Sequence, residues 1–166
     1  MTVSDSDPEG DKPPHPGVVF PPPLLFVGGF GLGWIVHREY PHPQMSDEWL
    51  FYGEAIGSVC IGVGLAIMLW GILTFFLNHT AILPNRPASG LVNTGPYKFT
   101  RNPMYLGLTL AYSGGCFALS TLWPFVFLPL VLWILVRWVI RREERYLDSA
   151  FGDRYRAYAE KVRRFI

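Results

Sequence analysis

The chain has 166 residues, 50% of them hydrophobic and 16% charged, with 14 Lys+Arg against 13 Asp+Glu and a formal net charge of +1. This length fits one domain, the apolar fraction excludes intrinsic disorder, and near-neutrality argues against a general nucleic-acid binder. The charges are bunched: no Asp, Glu, Lys or Arg occurs from Pro13 to His37, from Ala55 to Asn85 or from Asn102 to Val136, windows of 25, 31 and 35 residues.

Residues 1–17 are acidic and Pro-rich and read as a disordered tail. Asp5, Asp7, Glu9 and Asp11 against Lys12 alone disfavour a cleaved signal peptide, whose leading segment is positive. A bilayer core about 30 Å thick needs about 20 apolar helical residues, so the first two windows predict crossings over 18–36 and 55–77. The third window would make a single helix of roughly 50 Å. It therefore predicts a break near Ser120-Thr121 and a hairpin of two crossings, 104–119 and 123–140, with Pro124 in the first turn of the second.

Small residues let transmembrane helices approach closely. Gly29, Gly31 and Gly33 in the first span, and Ser58, Gly62 and Ala66 in the second, are the expected packing faces, within the bundle or in a homo-oligomer. The GFGLG stretch follows no strand and is not a dinucleotide loop. Cys60 and Cys116 sit inside apolar spans as small hydrophobes, and His37, His42 and His79 are scattered, so no metal site is expected. The fold class is all-α, an integral membrane helical bundle of four spans in one domain over 18–166. Arg86, Lys98 and Arg101 in the loop after span two, and eight basic residues after Ile140, place that loop and both termini in the cytoplasm by the positive-inside rule, in an inner or plasma membrane.

Two regions exceed the needs of a membrane anchor, 84–105 and 137–166. In the first, Gly95-Pro96 marks a turn, and Asn102-Pro103 reads as an N-cap followed by the first helical residue. Tyr97, Lys98, Arg101 and Tyr105 then gather around a helix N-terminus, which suits an anionic or electron-rich ligand or, equally, a snorkelling belt. The second region continues span four as a helix. At 100° per residue Val136, Val139, Ile140, Leu147, Ala150 and Phe151 share a face, and Arg137, Arg141, Arg142, Arg145 and Asp148 take the opposite arc. Glu144 lies at the border, within reach of an i, i+3 pair with Arg141. Glu143 falls in the middle of the apolar face, where a carboxylate must meet a cation or a donor; Lys98, Arg101 or a ligand ammonium could supply it. Gly152 closes the helix, and Asp153 opens a short one carrying Tyr155, Tyr158 and Val162 on one side and basic residues suited to an anionic leaflet on the other.

The block LVNTGPYKFTRNPMYLG at Leu91 to Gly107, followed by Arg142-Glu143-Glu144, Leu147, Phe151-Gly152, Tyr155, Tyr158, Val162 and Arg164-Phe165, resembles the C-terminal half of the isoprenylcysteine carboxyl methyltransferases and related phospholipid methyltransferases. The resemblance covers about half the chain. It implies a pocket for S-adenosyl-L-methionine outside any Rossmann fold, built from an RHPxY motif, here Arg101, Asn102, Pro103 and Tyr105, and an acidic pair, here Glu143 and Glu144. Val92, Gly95, Pro96 and Tyr97 join this cofactor-binding set. Asn102 stands where the carboxyl methyltransferases usually have His, which leaves the cofactor assignment in place and the isoprenylcysteine substrate in doubt. On this resemblance the chain is a methyltransferase for a lipid or isoprenoid-tailed acceptor. A carboxylate acceptor would be oriented by Arg101 or Arg137, and an amine acceptor would first lose a proton to a Glu, Tyr or water relay. Two other readings stand beside it, a non-catalytic membrane interaction module and a sterol-reductase-like membrane reductase.

Overall fold

The computed structural model describes residues 21–41, 47–78 and 90–165, and all their regular structure is helical. The acidic tail, His42, His79, Arg86 and the start of the loop at Pro84 lie outside the described residues. Helix α1 spans Pro22–Glu39 and α2 spans Asp47–Leu77. A one-turn 3₁₀ helix, Gly95–Lys98, precedes α3 (Pro103–Ala118), and α4 (Trp123–Ile134) runs through a wide π turn, Leu135–Ile140, into α5 (Arg141–Phe151) and then α6 (Asp153–Lys161).

Prolines open three of the helices: Pro22 and Pro23 in α1, Pro103 in α3 and Pro124 in α4 occupy first-turn positions where a missing N–H costs nothing. The hairpin between α3 and α4 turns at Ser120, whose φ is +47°, and the N–H of the fully buried Thr121 donates to Cys116 O at 2.9 Å. Two predicted spans start elsewhere: α1 begins at Pro22, and α2 begins eight residues before Ala55, taking Asp47, Glu48 and Glu54 into the helix. Charge-free windows mark the apolar part of a helix and say little about its ends.

Of the described helices, two are long and apolar enough to cross a membrane: Leu50–Leu77, and the continuous helix Trp123–Phe151. The apolar part of the latter ends at Ile140, and Arg141 onward is polar. Large apolar side chains such as Val27, Val59, Phe76, Val126 and Trp133 are more than half exposed, an outer surface suited to a lipid solvent.

The helices pack as two close pairs, α2 on α3 and α1 on α4, with α1 also touching α3. The first pair meets through glycines seven residues apart. A Cβ at Gly64 would stand 2.6 Å from Gly107 O, and one at Gly57 would stand 2.6 Å from Gly114 O, so the two backbones touch. The expected face of Ser58, Gly62 and Ala66 instead points outward, exposed, with no other described part of the chain close to Gly62. In α1, Gly29 packs on Val131 and Gly33 on Pro124, whereas Gly31 faces open space. Phe26, Tyr112, Cys116, Val131, Leu135, Val139 and Ile140 form the core, in which the Tyr112 hydroxyl donates to Pro124 O at 2.7 Å.

Candidate functional site

The C-terminal end of α2 holds the 3₁₀ turn in place. Gly95 has φ +57°, and a Cβ there would stand 2.6 Å from Thr74 Oγ1 and 3.3 Å from Trp70 Nε1, so both conformation and space require glycine. The turn delivers Val92, Pro96 and Tyr97 to the interior, with the Tyr97 ring edge-on to Phe75 at 5.2 Å. Lys98 and Phe99 remain exposed, which removes Lys98 as a partner for a buried carboxylate.

The next three residues are stitched to the far end of the chain. Arg101 N–H donates to Arg163 O at 3.0 Å, Thr100 Oγ1 to Arg164 O at 3.1 Å, and Asn102 Nδ2 to the same carbonyl at 2.9 Å. Asn102 therefore occupies the N-cap position of α3 without capping it by its side chain; its amide serves the C-terminal segment instead. The Tyr158 hydroxyl adds a donor to Tyr97 O at 2.7 Å. Gly152, at φ +53°, reverses the chain between α5 and α6 so that this return is geometrically open.

Two acidic environments result. Glu144 is held bidentately by Arg164, Nε to Oε1 at 3.0 Å and Nη2 to Oε2 at 2.6 Å, and by Arg101 Nη1 at 3.2 Å. The same Arg101 nitrogen lies 3.2 Å from the Tyr155 hydroxyl. The expected i, i+3 pair with Arg141 is not formed: a fixed guanidinium fork twenty residues onward outcompetes a flexible neighbour on the exposed side of the helix.

Glu143 accepts a hydrogen bond from the Tyr105 hydroxyl at 2.8 Å and has no cationic partner among the described residues. Its side chain is only partly shielded by surface area. Enough protein surrounds the carboxyl for burial to push its pKa up, against the lowering effect of the Tyr105 bond and with a further rise from Glu144. Tyr97 completes this cluster. Its buried hydroxyl has no hydrogen-bond partner among the described residues, and burial, then the fields of Tyr158 and Glu143, hold the phenol neutral well above its ordinary range.

The uniform helical plot misses one feature of this region. The π turn Leu135–Ile140 shifts the register of α5 by about one residue, and Tyr146 is the buried residue of that helix. Arg137 is carried away from the Glu143 cluster to the wall of an open cleft of about 650 Å³, which Arg141, Arg145, Asp148 and the Glu144 network also line. Tyr155, Tyr158, Thr100 and Arg164 were absent from the predicted site. The first two and Arg164 stand in the C-terminal string that carries the family resemblance, which was the available signal; for Thr100 none existed.

The Glu143 cluster fits the adenosylmethionine implied by the resemblance. A carboxylate lacking a cation suits an ammonium or ribose hydroxyls, and a buried phenol lacking an acceptor suits a polar atom of the same ligand. Glu144, already doubly paired, does not fit a direct contact in this arrangement.

A family model described as phospholipid methyltransferase matches residues 52–154, more than half of the chain. The chain is 29% identical over 113 residues to the protein-S-isoprenylcysteine O-methyltransferase of Schizosaccharomyces pombe, a match covering 68% of this chain and 48% of that protein. It is 29% identical over 126 residues to the probable protein-S-isoprenylcysteine O-methyltransferase of Oryza sativa subsp. indica, covering 72% and 63% respectively. An uncharacterized protein of Haemophilus influenzae is 43% identical over 68 residues, 38% of this chain and all of that protein. The chain thus spans less than two thirds of the length of the two named relatives. No solved structure matches it.

Proposed function

The chain belongs to the phospholipid methyltransferase family, and on that premise we propose that it is a membrane-embedded S-adenosyl-L-methionine-dependent methyltransferase whose acceptor carries a lipid or isoprenoid tail. The observation that carries this reading is Glu143, a carboxylate without a cation, set against Tyr105 and Tyr97 at the point where four chain segments converge. Bound adenosylmethionine would supply an electrophilic methyl group on a sulfonium, transferred by in-line displacement. The chain's own task is alignment and exclusion of water. Glu143 and the Tyr97 hydroxyl hold polar groups of the cofactor, with Val92, Gly95, Pro96, Asn102, Pro103 and Tyr105 forming the wall. Glu144 fixes Arg101 and the C-terminal segment across the same site.

Arg137 is exposed on the cleft and free to orient an anionic acceptor, while Arg101 retains a buried Nε with no partner among the described residues. The catalytic domain runs over 18–166, following an acidic tail. In this reading α1 and α3 also cross the bilayer, as the helix pairs α1–α4 and α2–α3 suggest, with both termini and the Glu143 site on the cytoplasmic side. The exposed Ser58, Gly62 and Ala66 stripe is the face for a second copy.

Calorimetry on the purified full chain tests the proposal: S-adenosylhomocysteine should bind, and membranes given methyl-labelled adenosylmethionine should transfer label to a lipid or protein fraction. A chain that binds neither the cofactor nor its demethylated product is not this enzyme.

A further inference from the structure

The cleft beside Glu144 holds more positive charge than its own acids absorb. Arg101 and Arg164 are committed to Glu144, and Asp148 is taken by Arg156 at 2.8 Å. Three more arginines on the cleft wall, Arg137, Arg141 and Arg145, form no ion pair among the described residues. Arg145 Nε donates only to the Arg141 carbonyl, at 3.2 Å. All three are exposed. Like charges one helical turn apart repel each other, so the fold gains nothing from this spacing. Three guanidinium forks on one concave wall instead focus a positive field and match the oxygens of a phosphate.

Their depth is marked by neighbouring side chains. The apolar run of the helix ends at Arg137, Trp138 is 56% exposed, and the Arg142 guanidinium lies 5.7 Å from the Trp138 ring centroid. An exposed indole with basic residues at the end of an apolar helix belongs at the membrane–water interface.

We propose that Arg137, Arg141 and Arg145 form a binding site for a phosphate group presented at the bilayer surface, separate from the Glu143 cluster and not dependent on methyl transfer. The test uses the full chain in detergent with three probes: short-chain phosphatidic acid, the diacylglycerol with the same tails, and inorganic phosphate. Phosphatidic acid should bind, and the double variant R137Q/R141Q should weaken it roughly 25-fold, about fivefold per arginine near the surface. Diacylglycerol should bind both proteins alike. Inorganic phosphate that displaces the lipid identifies a site for the free ion as well. Failure to displace it identifies a headgroup held together with its tail.

The control is R154Q/R163Q, which removes two exposed charges of the C-terminal segment outside the cleft and should change binding less than about twofold. Equal binding of phosphatidic acid by wild type and R137Q/R141Q overturns the proposal. So does an equal loss in R154Q/R163Q, which would show diffuse surface charge in place of a site.

Discussion

Glu144 meets two guanidinium groups, Arg164 at 2.6 Å and Arg101 at 3.2 Å, whereas Glu143, its neighbour in the chain, meets only the phenol of Tyr105 at 2.8 Å. Successive helical residues point about 100° apart, so one carboxylate enters the seam between the loop and the C-terminal segment and the other enters the aromatic cluster. The first is satisfied by the protein and works for the fold. The second carries a charge that the fold does not compensate, which is costly in a poorly solvated place and has its natural partner in a ligand.

Breaking the first environment should have the largest effect on stability. Glu144→Gln leaves Arg101 and Arg164 facing each other without a counter-charge and should lower stability by about 2–3 kcal/mol, somewhat less than for a fully buried pair because Arg164 is partly exposed. Thermal unfolding in detergent measures this. The double variant E144Q/R164Q should recover part of the loss, since the fork and its carboxylate go together. An unchanged midpoint for E144Q would mean that the network is ornamental.

Glu143→Gln should do the reverse. The amide keeps the volume and still accepts from Tyr105, so the fold should hold, while S-adenosylhomocysteine should bind about tenfold or more weakly for loss of a charge-assisted contact. The pH dependence sharpens the contrast. The folded state holds the Glu143 proton more tightly than the unfolded chain does. Its contribution is thus most favourable below the ordinary carboxylate range and is lost as pH rises from there through the raised value. The stability of wild type relative to E143Q should therefore fall over that window in parallel melts. A flat difference would show that Glu143 carries no uncompensated charge.

The same pair shows what could be read from sequence. Glu143 stood out because helical periodicity put an acid on an apolar face, a purely local signal. The partner of Glu144 is twenty residues away, and only the positive φ of Gly152 brings it back; a sequence announces such a break but not its angle. Helix packing divides similarly. Ser58, Gly62 and Ala66 repeat every four residues, and Gly57, Gly64 and Gly71 every seven, both consistent with a face. The second set faces α3 because Gly107 and Gly114 repeat at the same interval, a match between helices that neither helix contains alone. The hairpin at Ser120 was legible because a window free of charge was too long for one crossing.

The smallest effect expected is at Tyr97, where stability and affinity should move in opposite directions. Its ring packs edge-on to Phe75, and its carbonyl receives the Tyr158 hydroxyl, contacts that phenylalanine preserves. Only the hydroxyl would be lost, and it is buried without a partner among the described residues. Removing an unsatisfied polar group should leave stability unchanged or raise it by up to about 1 kcal/mol. If the phenol donates to the cofactor, Tyr97→Phe should weaken S-adenosylhomocysteine roughly three- to tenfold by the loss of one hydrogen bond. Added to Glu143→Gln the losses should be less than additive, because both groups would address the same ligand. A fall in melting temperature with unchanged affinity would instead assign the hydroxyl to the fold, leaving Glu143 alone in the role that the cluster shares here.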